Sequence, residues 1–157
     1  MKILVVSDTH GRLKRLKFLL DNNVNHVQMA IHLGDYARDL INMQENYPDI
    51  NMVAVNGNCD AGDEPMKILT LEGHRILLLH GHKYRVKSGL DRLIYFAKEN
   101  EVDVCLFGHT HFQTMFTQDD ILFMNPGSLV RPRSGSPAGY GLIEISPQGV
   151  FGEVVSL

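Results

Sequence analysis

The sequence predicts an α/β protein, a sandwich of two sheets with helices outside, and three observations carry that expectation. The first third alternates short apolar runs with helical patterns, as a parallel sheet with helical crossovers does. The later part is a series of short strand candidates punctuated by Gly, Asp and Pro turns. Motifs rich in Asp, Asn and His follow or close five of the apolar runs, where parallel sheets gather their ligands.

Taken in order, Ile3–Val6 reads as a buried strand, Leu13–Leu20 as a helix and Val27–Leu33 as a second strand. Arg38–Glu45 follows as a helix and Asn51–Val55 as a third strand. Strands are then expected at Met66–Leu71, Arg75–Leu79, Val104–Phe107, Gln113–Thr117, Ile121–Met124, Gly141–Ile145 and Val150–Val155. Leu90–Glu99 is the one clear helix among them. Glu72-Gly73, Asp119-Asp120 and Pro147-Gln148-Gly149 are hairpin signals, so this second sheet is expected to be mostly antiparallel. No repeat, low-complexity tract or linker interrupts the chain, and residues 1–157 read as a single domain.

A chain of 157 residues is long enough for a substantial core. Its formal charge of -3 gives no basic footprint for binding nucleic acid or an anionic membrane, though an enzyme acting on nucleotides is not excluded. Cys59 and Cys105 are too few for a disulfide framework, and Cys105 falls inside the apolar run Val102–Phe107 as core. The apolar stretch after Lys2 is too short for a signal peptide, and no run approaches a membrane span, so the expected location is the cytoplasm. A homo-oligomer stays open, since no stretch identifies an interface.

Five of the chain's eight histidines fall in those motifs: Asp8-Thr9-His10, Gly34-Asp35, Gly57-Asn58-Cys59-Asp60, His80-Gly81-His82 and Gly108-His109-Thr110-His111. Imidazole with carboxylate suits Mn, Fe, Co, Ni or Zn rather than Ca. Taken singly, Asp-x-His is a weak signal and Gly-Asp and Gly-Asn are ordinary turns. Gly-His-x-His after a buried strand is the strongest element. So many ligand types exceed the needs of one ion and point to two sharing a carboxylate, hence to a metal-dependent hydrolase.

In this order the five motifs resemble the calcineurin-like metallophosphoesterase superfamily, and most closely its small bacterial and archaeal phosphodiesterase branch. The resemblance runs from Met1 to Ser128 and includes Asn125-Pro126-Gly127-Ser128. It implies a four-layer α/β/β/α sandwich of two mixed sheets. It also implies one ion held by Asp8, His10, Asp35 and His111, and a second by Asp35, Asn58, His80 and His109, with Asp35 bridging. Mn²⁺ is the first choice of metal, with Ni²⁺, Co²⁺, Fe²⁺ or Zn²⁺ as alternatives. Two such ions hold a bridging water, lower its pKa and clamp phosphate oxygens for in-line attack.

One position departs from the phosphoprotein phosphatases of the superfamily. Their Gly-Asn is followed by a His that assists the leaving oxygen, and here Cys59 stands in its place. The phosphodiesterase branch commonly carries Cys there, which favours diesters with good leaving groups. His82 is a candidate replacement acid, the plainer reading being a hydrogen bond behind the metal ligands. Arg131 and Arg133 flank Pro132 and either reach substrate phosphate as fixed forks or belong to a solvated loop. His32 reads as a satisfied strand residue, and His26 and His74 as solvent-facing.

The leading expectation is therefore a phosphodiesterase acting on a small diester, a nucleotide among the candidates. The competing readings are a phosphomonoesterase on a small metabolite and a non-catalytic scaffold. The small phosphoesterase-like subunit of the retromer coat resembles this fold but has lost ligand residues, whereas this chain keeps all seven positions.

Overall fold

The computed structural model describes residues 1–133 and 135–157. Ten strands form two five-stranded sheets. In the first sheet β1 (Lys2–Val6), β2 (Met29–His32) and β3 (Asn51–Ala54) run parallel, with Ile3 opposite Met29 and Met29 opposite Asn51. Helices α1 (Leu13–Asn23) and α2 (Arg38–Ile41) are the crossovers between them. The expected helix over Arg38–Glu45 stops at Ile41. A tighter 3-10 turn over Gln44–Asn46 follows, and the Gln44 amide bonds the carbonyls of Tyr47 and Ile50 and accepts the Met52 N–H, which directs the chain into β3.

The second sheet has the order β4 (Met66–Leu71), β5 (His74–Leu79), β6 (Val104–Phe107), β8 (Ile121–Pro126), β7 (Gln113–Gln118). It is mixed: β5, β6 and β8 are parallel, and β4 and β7 flank them antiparallel. The mostly antiparallel expectation is corrected here for two reasons. Helix α3 (Asp91–Glu99) returns the chain so that β6 lies parallel to β5. The loop after β6 does not close a hairpin, so β8 rather than β7 pairs with β6. The hairpin signals hold: Glu72 and Gly73 (φ 50 and 87) and Asp119 and Asp120 (φ 52 and 62) make left-handed two-residue turns.

The last hairpin, β9 (Gly139–Ser146) and β10 (Gly149–Ser156), leaves the second sheet and pairs antiparallel along the free edge of β1. Period-two alternation then sorts the strand side chains into layers. Ile3, Val5, Ile31, Leu78, Leu106 and Ile143 meet between the sheets. Leu4, Val6 and Ala30 turn outward under Leu16, Leu20 and Leu40 of α1 and α2. Leu77, Cys105 and Phe107 turn outward under Leu93 and Ala97 of α3. The result is the four-layer sandwich, helices outside two mixed sheets. No helix among the described residues is long and apolar enough to cross a membrane.

Candidate metal centre

The carboxyl ends of β1, β2, β3, β5 and β6 open onto one edge, and the five polar motifs meet there. The two sheets are joined across that edge by their loops. The His109 N–H donates to Asp8 Oδ2 at 3.2 Å, and His80 Nδ1 lies 2.7 Å from the Leu33 carbonyl. Close approach requires glycine at Gly108, where a Cβ would strike Ser7 Oγ and come within 3.1 Å of Asp8 Oδ2. Asp8, His10, Asp35, His109 and His111 all have positive φ, between 47° and 69°. Such strain in non-glycine residues collects where side chains are held for a purpose.

Ligand atoms of Asp8, His10, Asp35 and His111 all lie within 4.8 Å of one another. His80 Nε2 stands 3.3 Å from Asp35 Oδ1 and 3.9 Å from Asp8 Oδ1, and His109 Nδ1 is 3.1 Å from the same His80 nitrogen. Asp35 Oδ2 faces the other way, 3.9 Å from His10 Nε2. Asn58 lines the same opening with His10, Asp35, His109 and His111, around a pocket of about 440 Å³.

The donor set fits a cation. His80 and His111 each spend Nδ1–H on a backbone carbonyl, Leu33 and Arg131 at 2.7 Å, which leaves Nε2 lone pairs pointing inward. Asp8 Oδ1 is fully buried and lacks a hydrogen-bond partner, although His111 Nε2 is only 3.0 Å away. Burial pushes the Asp8 carboxyl upward, but His111, His80 and Ser7 outweigh it and hold it below its ordinary range. The Asp8 carboxylate in turn raises His111 above the usual imidazole value. A buried anion ringed by imidazole nitrogens is stabilised by positive charge placed between them.

A family model for the calcineurin-like phosphoesterase superfamily domain matches residues 1–148. The chain belongs to that superfamily. A probable metallophosphoesterase of Bacillus subtilis, YsnB, is 33% identical over 148 residues, covering 92% of this chain and 85% of that protein. The phosphodiesterase YfcE of Escherichia coli is 29% identical over 168 residues, covering 92% and 88%. The crystal structure of Vps29 from Entamoeba histolytica, complexed with Zn²⁺, superposes with a TM-score of 0.79 at 21% identity over 99% of this chain and 98% of that one. That last likeness shows the shared fold.

Cys59 and His82 are placed differently from the ligand types. The Cys59 N–H donates to Asp35 Oδ1 at 2.9 Å, so its backbone holds the carboxylate while its thiol is exposed. Burial and the nearby Asp35 push that thiol up to about 11. His82 packs behind His80 and His109, with ring centres 5.4 and 6.1 Å away, and lines a separate hollow with Pro65 and Tyr84. Burial, with His80 next, lowers its pKa.

The sequence reading named several supporting residues without their roles. Ser128 Oγ donates to the Asp8 carbonyl and accepts the Arg131 N–H, and Asn125 bonds the Gly108 carbonyl and Thr110 Oγ1. The Asn-Pro-Gly-Ser segment is thus a clamp across two metal-site loops. Asp60 ties the Asn58 loop to the Asp35 loop through the N–H groups of Gly57 and Ala37. His26 is exposed as expected, but His74 is half buried, its Nε2 lying 3.0 Å from the Ser146 carbonyl of the other sheet.

His32 is satisfied inside its strand, as expected, and does more than that. Its Nδ1 accepts the Gly34 N–H at 3.1 Å, so Nε2–H donates to Thr9 Oγ1 at 2.9 Å. Thr9 donates onward to Asp39, which also accepts the Gly11 N–H. Burial pulls the His32 pKa down to about 4 from 6.5. Because the unfolded state takes up that proton first, the contribution is present above pH 6.5 and lost as pH falls toward 4. It amounts to on the order of 2 kcal/mol between pH 7.5 and 5. Urea unfolding of metal-free protein at the two pH values is expected to show that loss, reduced in His32→Gln. An identical pH dependence in both proteins would remove His32 as its source.

Proposed function

We propose that this single-domain chain is a cytoplasmic phosphodiesterase that works with two divalent ions, Mn²⁺ first among them. In this reading Asp8, His10, Asp35 and His111 hold one ion, and Asp35, Asn58, His80 and His109 hold the other. The observation that carries it is the two-sided presentation of Asp35, with Oδ1 on the His80 side and Oδ2 on the His10 side. When bound, the ions supply a more acidic water and positive charge for the phosphoryl oxygens. The chain's own part is to fix the ligands: Leu33 and Arg131 orient His80 and His111, and Cys59 and Ser7 orient Asp35 and Asp8.

Cys59 supports the choice of a diester. A thiol, with an ordinary pKa of about 8.5, is a poorer general acid at neutral pH than the imidazole it replaces. His82 faces another hollow, which favours a packing role for it. Neither residue is thereby assigned to protonating the leaving oxygen, which favours diesters with good leaving groups. Cys59→His is expected to raise phosphomonoesterase turnover relative to diesterase turnover; an unchanged ratio would refute this account of the leaving-group step.

The direct test is hydrolysis of bis(4-nitrophenyl) phosphate and 4-nitrophenyl phosphate by metal-stripped protein with Mn²⁺ restored. Ion-dependent turnover favouring the diester is the expected result. A preference for the monoester would keep the centre and change the substrate class. No turnover with Mn²⁺, Ni²⁺, Co²⁺ or Zn²⁺ would favour a scaffold.

A further inference from the structure

The pocket rim holds three cations that the metal centre does not use. Lys87, Arg131 and Arg133 line it together with His10, Asp35, Asn58, His109 and His111. Among the described residues none of the three makes an ion pair or a side-chain hydrogen bond. They collect at this pocket although the chain as a whole carries a charge of -3.

Two of the three have an anchored backbone. The Arg131 N–H bonds Ser128 Oγ at 2.9 Å and its carbonyl faces His111 Nδ1 at 2.7 Å. The Arg133 N–H donates to the His111 carbonyl at 3.0 Å, and Pro132 fixes the chain between the two arginines. Lys87 enters from the loop between β5 and α3. It lines the pocket together with His109. The cations therefore stand around the ligand histidines from more than one loop.

We propose that this rim reads a second anionic group, so that the preferred substrate is a small diester carrying a further phosphate beside the scissile one. The inference rests on the phosphoesterase reading above and narrows its substrate class. A simple phosphodiester carries one negative charge, which two divalent ions held by Asp8, Asp35 and the ligand histidines would already meet. Three unpaired cations beyond that are more than one diester requires, and guanidinium forks suit the oxygens of a second phosphate. The pocket, at about 440 Å³, is also much larger than one phosphate group. A long nucleic acid fits less well, because the positive charge is confined to the rim of an otherwise acidic chain.

The test compares thymidine 5′-(4-nitrophenyl phosphate) with the same diester bearing a 3′-phosphate, using Mn²⁺-loaded protein. Nitrophenolate release is expected to give a kcat/KM about tenfold or more higher for the 3′-phosphorylated substrate, the worth of one added charge-assisted contact. In the triple variant Lys87→Gln/Arg131→Gln/Arg133→Gln that ratio should fall toward unity. Calorimetric titration with the corresponding non-hydrolysable 5′-arylphosphonate pair reads the same preference as a ratio of Kd values, without turnover. Hydrolysis of both substrates at equal efficiency, or a triple variant that keeps the wild-type ratio, would overturn the proposal while leaving the diesterase reading intact. Failure to hydrolyse either diester would overturn the reading itself. Tighter binding of a single-stranded oligonucleotide than of the 3′-phosphorylated analogue would replace the small substrate with a nucleic acid.

Discussion

Asp35→Asn is expected to lower Mn²⁺-dependent turnover by on the order of 10²–10³-fold or more, the cost of losing a preorganised electrostatic contact at the reacting centre. Asparagine has nearly the same shape, and its amide oxygen can still accept the Cys59 N–H that Asp35 Oδ1 accepts at 2.9 Å. The fold should therefore survive, and what disappears is charge. That charge is offered in two directions, toward His80 at 3.3 Å and toward His10 at 3.9 Å. Its loss should weaken both ions, so metal analysis after gel filtration should find less than one Mn²⁺ per chain. Retention of one tightly held ion would assign Asp35 to a single site. Unchanged turnover would end the bridging role altogether.

How much of this was legible in the sequence depends on range. Strands such as Met66–Leu71 and Val104–Phe107 were readable to the residue because short apolar runs bounded by turn residues are local signals. The return of β9 to the edge of β1 was not, since a pairing of Ile3 with Ile143 leaves no local mark. The same divide runs through the site. Asp8, His10, Asp35, Asn58, His80, His109 and His111 stood out because each follows a strand and belongs to an ordered set, and the fold brings them to one edge. Asp39, Asp60 and Ser128 act by bonding the backbones of other loops, which a sequence does not display. Lys87 lies in a loop with other basic residues, and only the folded pocket separates it from a solvated face. His82 shows the converse: two residues from His80 in sequence, it packs behind the ligands instead of facing the pocket.

Gly34→Ala is expected to produce the largest loss of stability. Gly34 has φ +96, and an added Cβ would lie 2.6 Å from the Gly57 nitrogen and 2.8 Å from His80 Nδ1. The left-handed backbone costs a non-glycine residue about 1–2 kcal/mol, and overpacking adds about 1–3. The sum, about 2–5 kcal/mol, is a large part of the 5–15 kcal/mol that holds a typical domain together. For a chain of this length it corresponds to a fall in Tm of roughly 5–20 °C. The collision falls on the nitrogen that His80 uses to bond Leu33, so relief by moving the ring would turn Nε2 away from Asp8 and Asp35. Metal affinity should fall with stability. Gly73→Ala is the control, because Gly73 has φ +87 with nothing within 4 Å of an added Cβ. It carries the backbone strain without the collision. Thermal unfolding of the two variants separates the contributions: if Gly34→Ala costs no more than Gly73→Ala, the close approach of the Asp35, Asn58 and His80 loops is not what demands glycine there.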